Sequence, residues 1–340
     1  QPLIEAGIRA LQEGKTHYTP ATGLWALREK IAGFYQTRYG IGVAPERVVV
    51  TPGASAALQL VLAVLVNSGD QVLLTDPGYP CNRNFVHLLN GEPAAIPVDA
   101  TSGYQPAPRQ VSEYWTARTR ALLVASPSNP TGTLLDENTL REYHAITGQH
   151  GGSLIVDEIY HGLTYDSPAQ TALAIADDIF VINSFSKYFG MTGWRLGWLI
   201  APREVVPDID KLAQNLFLAA PTLAQYAALR AFDDEVIAIL EARRDEFRRR
   251  RDYLMPALRD LGFDIPVSPA GAFYLYANCS RFTGDSYGFA AQLLEEAGVA
   301  ITPGIDFGSN RPEQHVRFAY TTSLENLQEG VHRLAVKLGN

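Results

Sequence analysis

The stretch VVVTPGASAALQLVLAVLV, residues 48–66, combines the features of a buried strand and of a helix that follows it directly. Residues 48–50 are continuously apolar and β-branched, which is typical of a strand covered on both faces. Gly53 permits a close turn, and residues 54–66 have the composition and length of a helix. The stretch therefore predicts one strand–helix unit of a parallel sheet.

The same alternation continues after this unit. Further short apolar runs predict strands at residues 72–74, 121–124, 154–156 and 180–182. Helix-like stretches, such as residues 137–147, lie between them. The pattern predicts an α/β fold with a large domain that has a doubly wound, mostly parallel sheet.

The pattern changes after Pro207, where long helical stretches replace the alternation. They are expected from about residue 222 to 261, with a break near Pro256. Strands are then predicted at residues 273–276 and 316–320, and helices at 287–297 and from Leu324 onward. We expect a large domain at residues 18–225 and a smaller α+β domain formed by residues 1–17 and 226–340.

Length and composition disfavour several classes of protein. The chain has 340 residues, of which 46% are hydrophobic and 19% charged, which suits a folded protein of two domains. The formal net charge is −8, and the basic run at residues 243–251 contains acidic residues, so a nucleic-acid partner is disfavoured.

The longest apolar stretch is too short to span a bilayer, and no signal peptide is recognisable, so we expect a cytoplasmic protein. Cys81 and Cys279 alone form neither a disulfide framework nor a metal signature.

Candidate site residues follow the predicted strands, because ligands of open α/β sheets bind beyond the carboxyl ends of the strands. In TPGASAA (51–57), Gly53 lets the backbone approach a ligand, and the amides of Ala54 and Ser55 begin a helix that suits an anion. In SPSNPTG (126–132), the prolines hold the backbone extended and leave Asn129 pointing into the crevice. A helix cap and an ordinary turn would give the same two patterns.

Two further segments carry charged candidates. In VDEIY (156–160), Asp157 ends an apolar strand, where a carboxylate needs a positive partner unless it is only a helix N-cap. In SFSKYFGMTGWRLGW (184–198), apolar surroundings would lower the pKa of Lys187 and make its amine nucleophilic, although a surface lysine is the alternative. Arg195 offers the paired donors that suit a phosphate. Pyridoxal phosphate matches these groups, because it has a phosphate, an aldehyde, a basic ring nitrogen and a phenolic oxygen.

These segments, together with YTPATG (18–23) and DPGYP (76–80), resemble those of the class I/II aminotransferases, the fold-type I pyridoxal-phosphate enzymes. The resemblance extends over nearly the whole chain. It implies that Lys187 binds the cofactor aldehyde covalently and acts as general acid and base. It also implies that Asp157 keeps the ring nitrogen protonated and that Asn129 and Tyr160 hydrogen-bond the phenolic oxygen.

The resemblance implies roles for further residues. Tyr79 would stack on the cofactor ring, and Arg317 and Asn129 would bind the substrate, Arg317 through the α-carboxylate. Tyr18 would reach the phosphate of a partner subunit, which implies a homodimer with shared active sites. The implied phosphate cradle consists of Gly53, Ala54, Ser55, Ser184, Ser186 and Arg195.

The chain departs from the family pattern at its start, where only residues 1–17 precede Tyr18 and an arm with a glycine-containing loop is expected. We interpret this start as a truncation. The GASAA segment has no lysine, and no arginine lies between Lys211 and Arg230. A second cation for an acidic substrate is therefore missing from these places, which favours a neutral or aromatic amino acid.

The predicted activity is amino transfer to a 2-oxo acid by a ping-pong mechanism. A C–S lyase or another β-eliminating enzyme is an alternative, because the same fold and lysine support elimination. A non-catalytic domain that senses pyridoxal phosphate or an amino acid is an alternative of another class. A dinucleotide-binding protein is disfavoured, because no G-x-G-x-x-G joins a strand to a helix.

Overall fold

The computed structural model describes residues 1–339 as two sheets with helices packed against them. The helices are α1 (Pro2–Gln12), α2 (Trp25–Tyr39), α3 (Ala54–Leu65), α4 (Pro80–Leu88), α5 (Pro108–Tyr114), α6 (Glu137–Gln149), α7 (Val206–Leu216), α8 (Thr222–Ala228), α9 (Asp234–Asp260), α10 (Ser286–Gln292) and α11 (Leu324–Leu338). The strands are β1 (Val48–Thr51), β2 (Gln71–Asp76), β3 (Glu92–Pro97), β4 (Thr119–Ala125), β5 (Ser153–Asp157), β6 (Phe180–Ser184), β7 (Gly197–Ile200), β8 (Tyr274–Asn278), β9 (Thr302–Pro303) and β10 (His315–Ala319).

The larger sheet has seven strands in the order β1-β7-β6-β5-β4-β2-β3. Strand β7 is antiparallel to β1 and β6, and the other neighbouring pairs are parallel. Alternate residues of β1 enter two different cores, since Val48 and Val50 pack with α2 whereas Val49 packs with α3. Helices therefore cover both faces of the sheet, and the predicted doubly wound, mostly parallel α/β fold is confirmed.

The register of the central strands brings their carboxyl ends to one edge of the sheet. Asp157 at the end of β5 lies opposite Ala125 of β4 and Ile182 of β6. The backbone continues this alignment beyond the strands, because Ser126 N donates to Asp157 O at 3.0 Å. The segments that follow β4, β5 and β6 therefore leave the sheet side by side.

The predicted strands at 48–50, 72–74, 121–124, 154–156 and 180–182 all lie within observed strands. Strands β3 and β7 were not predicted. Pro93 and Pro97 weaken the strand pattern of β3, and proline is tolerated there because β3 is an edge strand. Strand β7 has only four residues and directly follows the turn at Arg195.

The smaller sheet is antiparallel, with the order β8-β10-β9. It packs with the second half of α9 and with α10 and α11 around a separate core that includes Leu258, Leu275 and Phe318. The predicted strands and helices of this α+β region are confirmed, and the helix expected at 287–297 is α10 followed by a π-helical turn at Leu293–Ala297.

The break expected near Pro256 is wrong. Helix α9 continues through Pro256, and the interruption lies instead between α8 and α9. Phe232 turns inward there and packs against Phe34, Phe185 and Phe189, which favours a bend at this point. Pro256 lies close to the end of α9, so few helical hydrogen bonds follow it.

The domain limits at 18–225 and at 1–17 with 226–340 stay a prediction. Helix α1 lies against α8 and against Trp194, since a β-carbon built on Gly7 would come within 2.6 Å of the Trp194 ring. Within residues 1–339, the helices are all too short or too polar to cross a membrane.

Candidate active site

The turn between β1 and α3 forms one side of the site. Gly53 has a φ of +85°, and a β-carbon there would lie 2.7 Å from Arg195 Nη2. The Arg195 guanidinium therefore lies directly against this turn, beside the first amides of α3 at Ala54 and Ser55. Helix-start amides have no acceptor within their helix, and together with a guanidinium they favour an anion.

Ser184 and Ser186 lie next to this turn, at the end of β6. The buried Ser184 hydroxyl donates to Leu196 O at 3.1 Å and accepts from Ser186 N at 3.0 Å. Ser184 thus holds the β6–β7 connection in place, and its role in binding a phosphate stays a prediction. Ser186 is also buried.

Lys187 projects from the same connection toward aromatic side chains. Its Nζ lies 5.8 Å from the centre of the Tyr160 ring and 5.6 Å from that of Phe273. Burial lowers the pKa of the Lys187 ammonium, and the positive charges of Arg317 and Arg195 act in the same direction, whereas Asp157 opposes them. A lowered pKa makes the neutral, nucleophilic amine more accessible near neutral pH.

Asp157 is a buried carboxylate at the end of β5. Its Oδ1 accepts a hydrogen bond from Ile159 N at 3.0 Å. Burial raises the pKa of Asp157 to about 6, although this hydrogen bond and the charge of Lys187 act in the opposite direction. A carboxylate in this state gains from a further positive group, such as a protonated ring nitrogen.

Asn129 and Arg317 connect the two sheets. Arg317 Nη1 donates to Asn129 Oδ1 at 2.9 Å, and Arg317 Nη2 donates to Thr302 Oγ1 at 3.2 Å. The buried Nε of Arg317 has no hydrogen-bond partner within residues 1–339. Because an unpaired buried donor is costly, the guanidinium is suited to an incoming carboxylate.

Aromatic rings surround this guanidinium. Its Cζ lies 4.1 Å from the centre of the Tyr274 ring and 4.8 Å from that of Phe307. Cation–π contacts of this kind restrict the orientation of an arginine and keep water from it. Tyr274 also joins its hydroxyl to that of Tyr160 at 3.1 Å.

Tyr160 and Tyr79 lie near the same centre. Burial raises the pKa of both phenols, so that both hydroxyls remain protonated hydrogen-bond donors at neutral pH. Tyr79 lies close enough to Asp157 and Tyr274 for their charges to affect it. The roles of Tyr160 and Tyr79 toward a cofactor ring stay predictions.

Tyr18 does not join this cluster. Its side chain is 82% exposed, and its phenol makes no hydrogen bond in the described part of the chain. Its contribution to a partner subunit stays a prediction.

Sequence reasoning missed three residues that contact Arg317. Tyr274 and Phe307 contribute rings, and Thr302 contributes a hydroxyl. Tyr274 and Thr302 lie on β8 and β9, at either side of β10 in the small sheet. No local motif marks them, because an aromatic strand residue and a threonine before a proline are common in ordinary cores. Their relation to Arg317 arises from the pairing of the small sheet and, for Phe307, from the course of the chain between β9 and β10.

The cluster fits pyridoxal phosphate in three respects. Gly53, which has no side chain, lets the Arg195 guanidinium lie directly against the turn at the start of α3. Lys187 offers an amine with a lowered pKa, and Asp157 offers a carboxylate whose pKa is raised by burial. These groups would hold the phosphate, the aldehyde and the ring nitrogen, respectively.

Comparison with known proteins gives a consistent result. The family model described as aminotransferase class I and II matches residues 1–334. The chain is 38% identical to the valine–pyruvate aminotransferase of Mycobacterium tuberculosis, over 98% of this chain and 86% of that protein. It is 37% identical to the (5-formylfuran-3-yl)methyl phosphate transaminase of Methanocaldococcus jannaschii, over 98% of this chain and 86% of that protein. A solved structure of Thermus thermophilus aspartate aminotransferase with maleate superimposes with a TM-score of 0.93 at 35% identity, covering 98% of this chain and 87% of that one.

Proposed function

The chain belongs to the class I and II aminotransferases, and we propose that it moves the amino group of a neutral or aromatic L-amino acid to a 2-oxo acid by a ping-pong mechanism. It is an enzyme of a family that depends on pyridoxal phosphate. The observation that carries the proposal is the convergence of Lys187, Asp157 and Arg317 at one edge of the large sheet.

The bound cofactor supplies an electrophilic aldehyde and a ring that accepts electrons from the substrate α-carbon. The proposed task of Lys187 is to bind that aldehyde and, once the substrate has displaced it, to move protons at the substrate α-carbon. Burial favours the neutral amine that removes such a proton. Lys187 is the residue in the cluster best suited to this task, because its Nζ is held over Tyr160 and Phe273.

Asp157 would act on the opposite end of the cofactor. Its carboxylate is buried and is fixed by Ile159 N. In this environment a negative charge strongly favours a proton on a nearby ring nitrogen, because the low dielectric strengthens the attraction between the two charges. The Tyr160 hydroxyl, which is hydrogen-bonded to that of Tyr274, would donate a hydrogen bond to the phenolic oxygen of the cofactor.

Arg317 would bind the α-carboxylate that amino acids and 2-oxo acids share. Asn129 and Thr302 fix its guanidinium, and its buried Nε has no hydrogen-bond partner within residues 1–339. One carboxylate site that serves both substrates fits a ping-pong sequence, in which the first product leaves before the second substrate enters.

The substrate class is proposed from the missing second cation. GASAA has no lysine, and residues 212–229 have no arginine. The named activity of the mycobacterial relative includes a neutral amino acid, valine, which agrees with this proposal. The Thermus relative is an aspartate aminotransferase, so the family alone does not select the substrate.

The proposed functional unit is a cytoplasmic homodimer. Apolar side chains at Ile4, Ile8 and Leu11 of α1 are about half exposed, as are Leu216 and Leu218 at the end of α7. Exposed apolar side chains of this kind are often covered by a partner. Tyr18, which follows α1, would then be able to reach the neighbouring site.

The test is an absorbance titration of the purified protein loaded with pyridoxal phosphate. Single amino acids should remove the absorbance band of the lysine-bound cofactor, and a 2-oxo acid should restore it without net consumption of the cofactor. The amino acids that respond would define the substrate class. Release of ammonia and a 2-oxo acid without any acceptor would contradict amino transfer and indicate a lyase.

A further inference from the structure

A loop of the small sheet crosses to the large sheet beside Arg317. This crossing loop, residues 304–310, follows β9 and precedes β10, the strand that carries Arg317. Its backbone is fixed to the segment after β2, because Gly78 N donates to Phe307 O at 2.9 Å. Arg83 Nη2 donates to Asp306 O at 3.1 Å in an exposed contact. The crossing loop therefore joins the two sheets directly.

The strongest contact of the crossing loop is with Asp76, at the end of β2. The Asp76 carboxylate is 5% exposed. It accepts hydrogen bonds from Ser309 N at 2.9 Å, Ser309 Oγ at 2.8 Å and Asn310 N at 3.3 Å. Within residues 1–339, no lysine, arginine or histidine forms an ion pair with it, so the loop supplies the donors that its buried charge requires.

The fit between the carboxylate and the loop leaves no spare space. A β-carbon built on Gly308 would lie only 1.8 Å from Asp76 Oδ1. Asn310 adds a further link, because its Nδ2 donates to Val98 O at 3.0 Å. Only a glycine at 308 lets the loop backbone approach Asp76 so closely, and the position of the loop is fixed as a result.

Phe307 comes directly before the residues that approach Asp76. It is 3% exposed, and the centre of its ring lies 4.8 Å from Arg317 Cζ. Its backbone oxygen accepts the hydrogen bond from Gly78 N, and the Asp76 contacts follow at Ser309 and Asn310. We propose that Asp76 is a positioning residue for substrate binding: by fixing the crossing loop it holds Phe307 against Arg317, and so keeps the guanidinium oriented for the substrate carboxylate. This proposal rests on the proposed role of Arg317.

The test compares Asp76→Ala and Gly308→Ala, which disturb the same contact from opposite sides. Each should raise KM for both the amino acid and the 2-oxo acid about tenfold, with little change in kcat. A tenfold weaker binding is what the loss of charge-assisted hydrogen bonds is expected to cause. Arg83→Ala is the matched control, because it removes only an exposed contact to the same loop. Its KM should stay within about twofold of the wild type.

A second readout does not depend on activity. Hydrogen exchange at the Ser309 and Asn310 amides should become faster in Asp76→Ala and Gly308→Ala, but not in Arg83→Ala, because those amides lose their buried acceptor. Binding of 3-phenylpropanoate, a carboxylate without an amino group, should weaken in parallel with the rise in KM. If Asp76→Ala does not fold, Ser309→Ala removes a single donor and carries the test together with Gly308→Ala.

The outcomes separate this inference from the proposed function. If Arg317→Lys does not weaken the binding of 3-phenylpropanoate, Arg317 is not the carboxylate site, and both proposals are overturned. If Arg317→Lys weakens binding but the loop variants exchange faster and bind normally, only the positioning role of Asp76 is wrong. Faster exchange with weaker binding supports it.

Discussion

Arg317 Nη1 donates a hydrogen bond of 2.9 Å to Asn129 Oδ1, although Arg317 lies in the small sheet and Asn129 follows a strand of the large one. Asn129 belongs to the segment after β4, at the edge where Lys187 and Asp157 converge. Arg317 belongs to the central strand of the small sheet. This contact therefore links the proposed carboxylate site directly to the proposed cofactor site.

Replacing Asn129 by alanine should weaken substrate binding. The Arg317 guanidinium would lose an acceptor in a buried setting, where hydrogen bonds to charged groups contribute roughly 1.5–3 kcal/mol. We expect KM for the amino acid and the 2-oxo acid to rise at least about tenfold. Steady-state kinetics with both substrates measures this change, and Thr302→Val, which removes the longer of the two Arg317 contacts, provides a comparison. Unchanged KM in Asn129→Ala would contradict the role of the contact.

Replacing Lys187 by alanine should abolish covalent attachment of the cofactor and reduce turnover by roughly a thousandfold or more, since it removes both the attachment point and the general base. Borohydride reduction followed by peptide mass spectrometry should locate the cofactor on Lys187 in the wild type and on no peptide of the variant. Lys187→Arg is the matched control, because it keeps the positive charge without a nucleophilic amine. Retained turnover in either variant would refute the assignment.

The stability of the cofactor-free protein should depend on the ionisation of Asp157. Burial raises the pKa of Asp157 from 3.8 to about 6. The folded protein therefore binds this proton more tightly than the unfolded chain does. The resulting stabilisation is fully present below pH 3.8 and is lost as the pH rises through 6. A difference of about two pH units corresponds to roughly 3 kcal/mol. Asp157→Asn should therefore raise the free energy of unfolding of the cofactor-free protein at pH 7 by up to that amount.

The same substitution should weaken cofactor binding, because asparagine offers no charge to a protonated ring nitrogen. Thermal melts of the free and loaded protein at pH 4, 6 and 8 measure both effects. Glu158→Gln is the control, because burial also raises the pKa of Glu158, to about 8. Unlike Asp157, Glu158 has no proposed contact with the cofactor, and its Oε1 accepts hydrogen bonds from Thr171 Oγ1 and Ala172 N. That variant should gain stability at high pH without losing cofactor affinity. Equal affinity in Asp157→Asn would argue against an Asp157–nitrogen contact.

The large sheet and its candidate site could be predicted because their signals are local. Apolar β-branched runs give the strands, and the polar segments after them must meet at one edge once the strands are parallel. Asp157 and Lys187 were found in this way. By contrast, β3 is a proline-containing edge strand, and its pattern is weak for that reason.

The contacts around Arg317 depend on tertiary structure and could not be predicted in the same way. Tyr274, Thr302 and Phe307 come from separate segments of the small domain region, and only the pairing of β8, β9 and β10 and the course of the crossing loop bring them to Arg317. Asp76 shows the same limit. In the sequence it is an ordinary aspartate before a proline, whereas in the structure its carboxylate binds a loop more than 200 residues away.

The proposed sharing of active sites between two subunits can be tested by mixing two impaired variants. In a homodimer with shared sites, Lys187 and Tyr18 of one site come from different subunits. We would mix Lys187→Ala with a Tyr18→Ala variant of low activity under conditions that exchange subunits. Half of the dimers should then be hybrids with one intact site each. The mixture should therefore regain up to about a quarter of the wild-type specific activity. Sedimentation of each variant should show the same dimer as the wild type. Mixing a variant with itself is the control, and activity that never exceeds the mean of the separate variants would show that Tyr18 serves its own chain or no site at all.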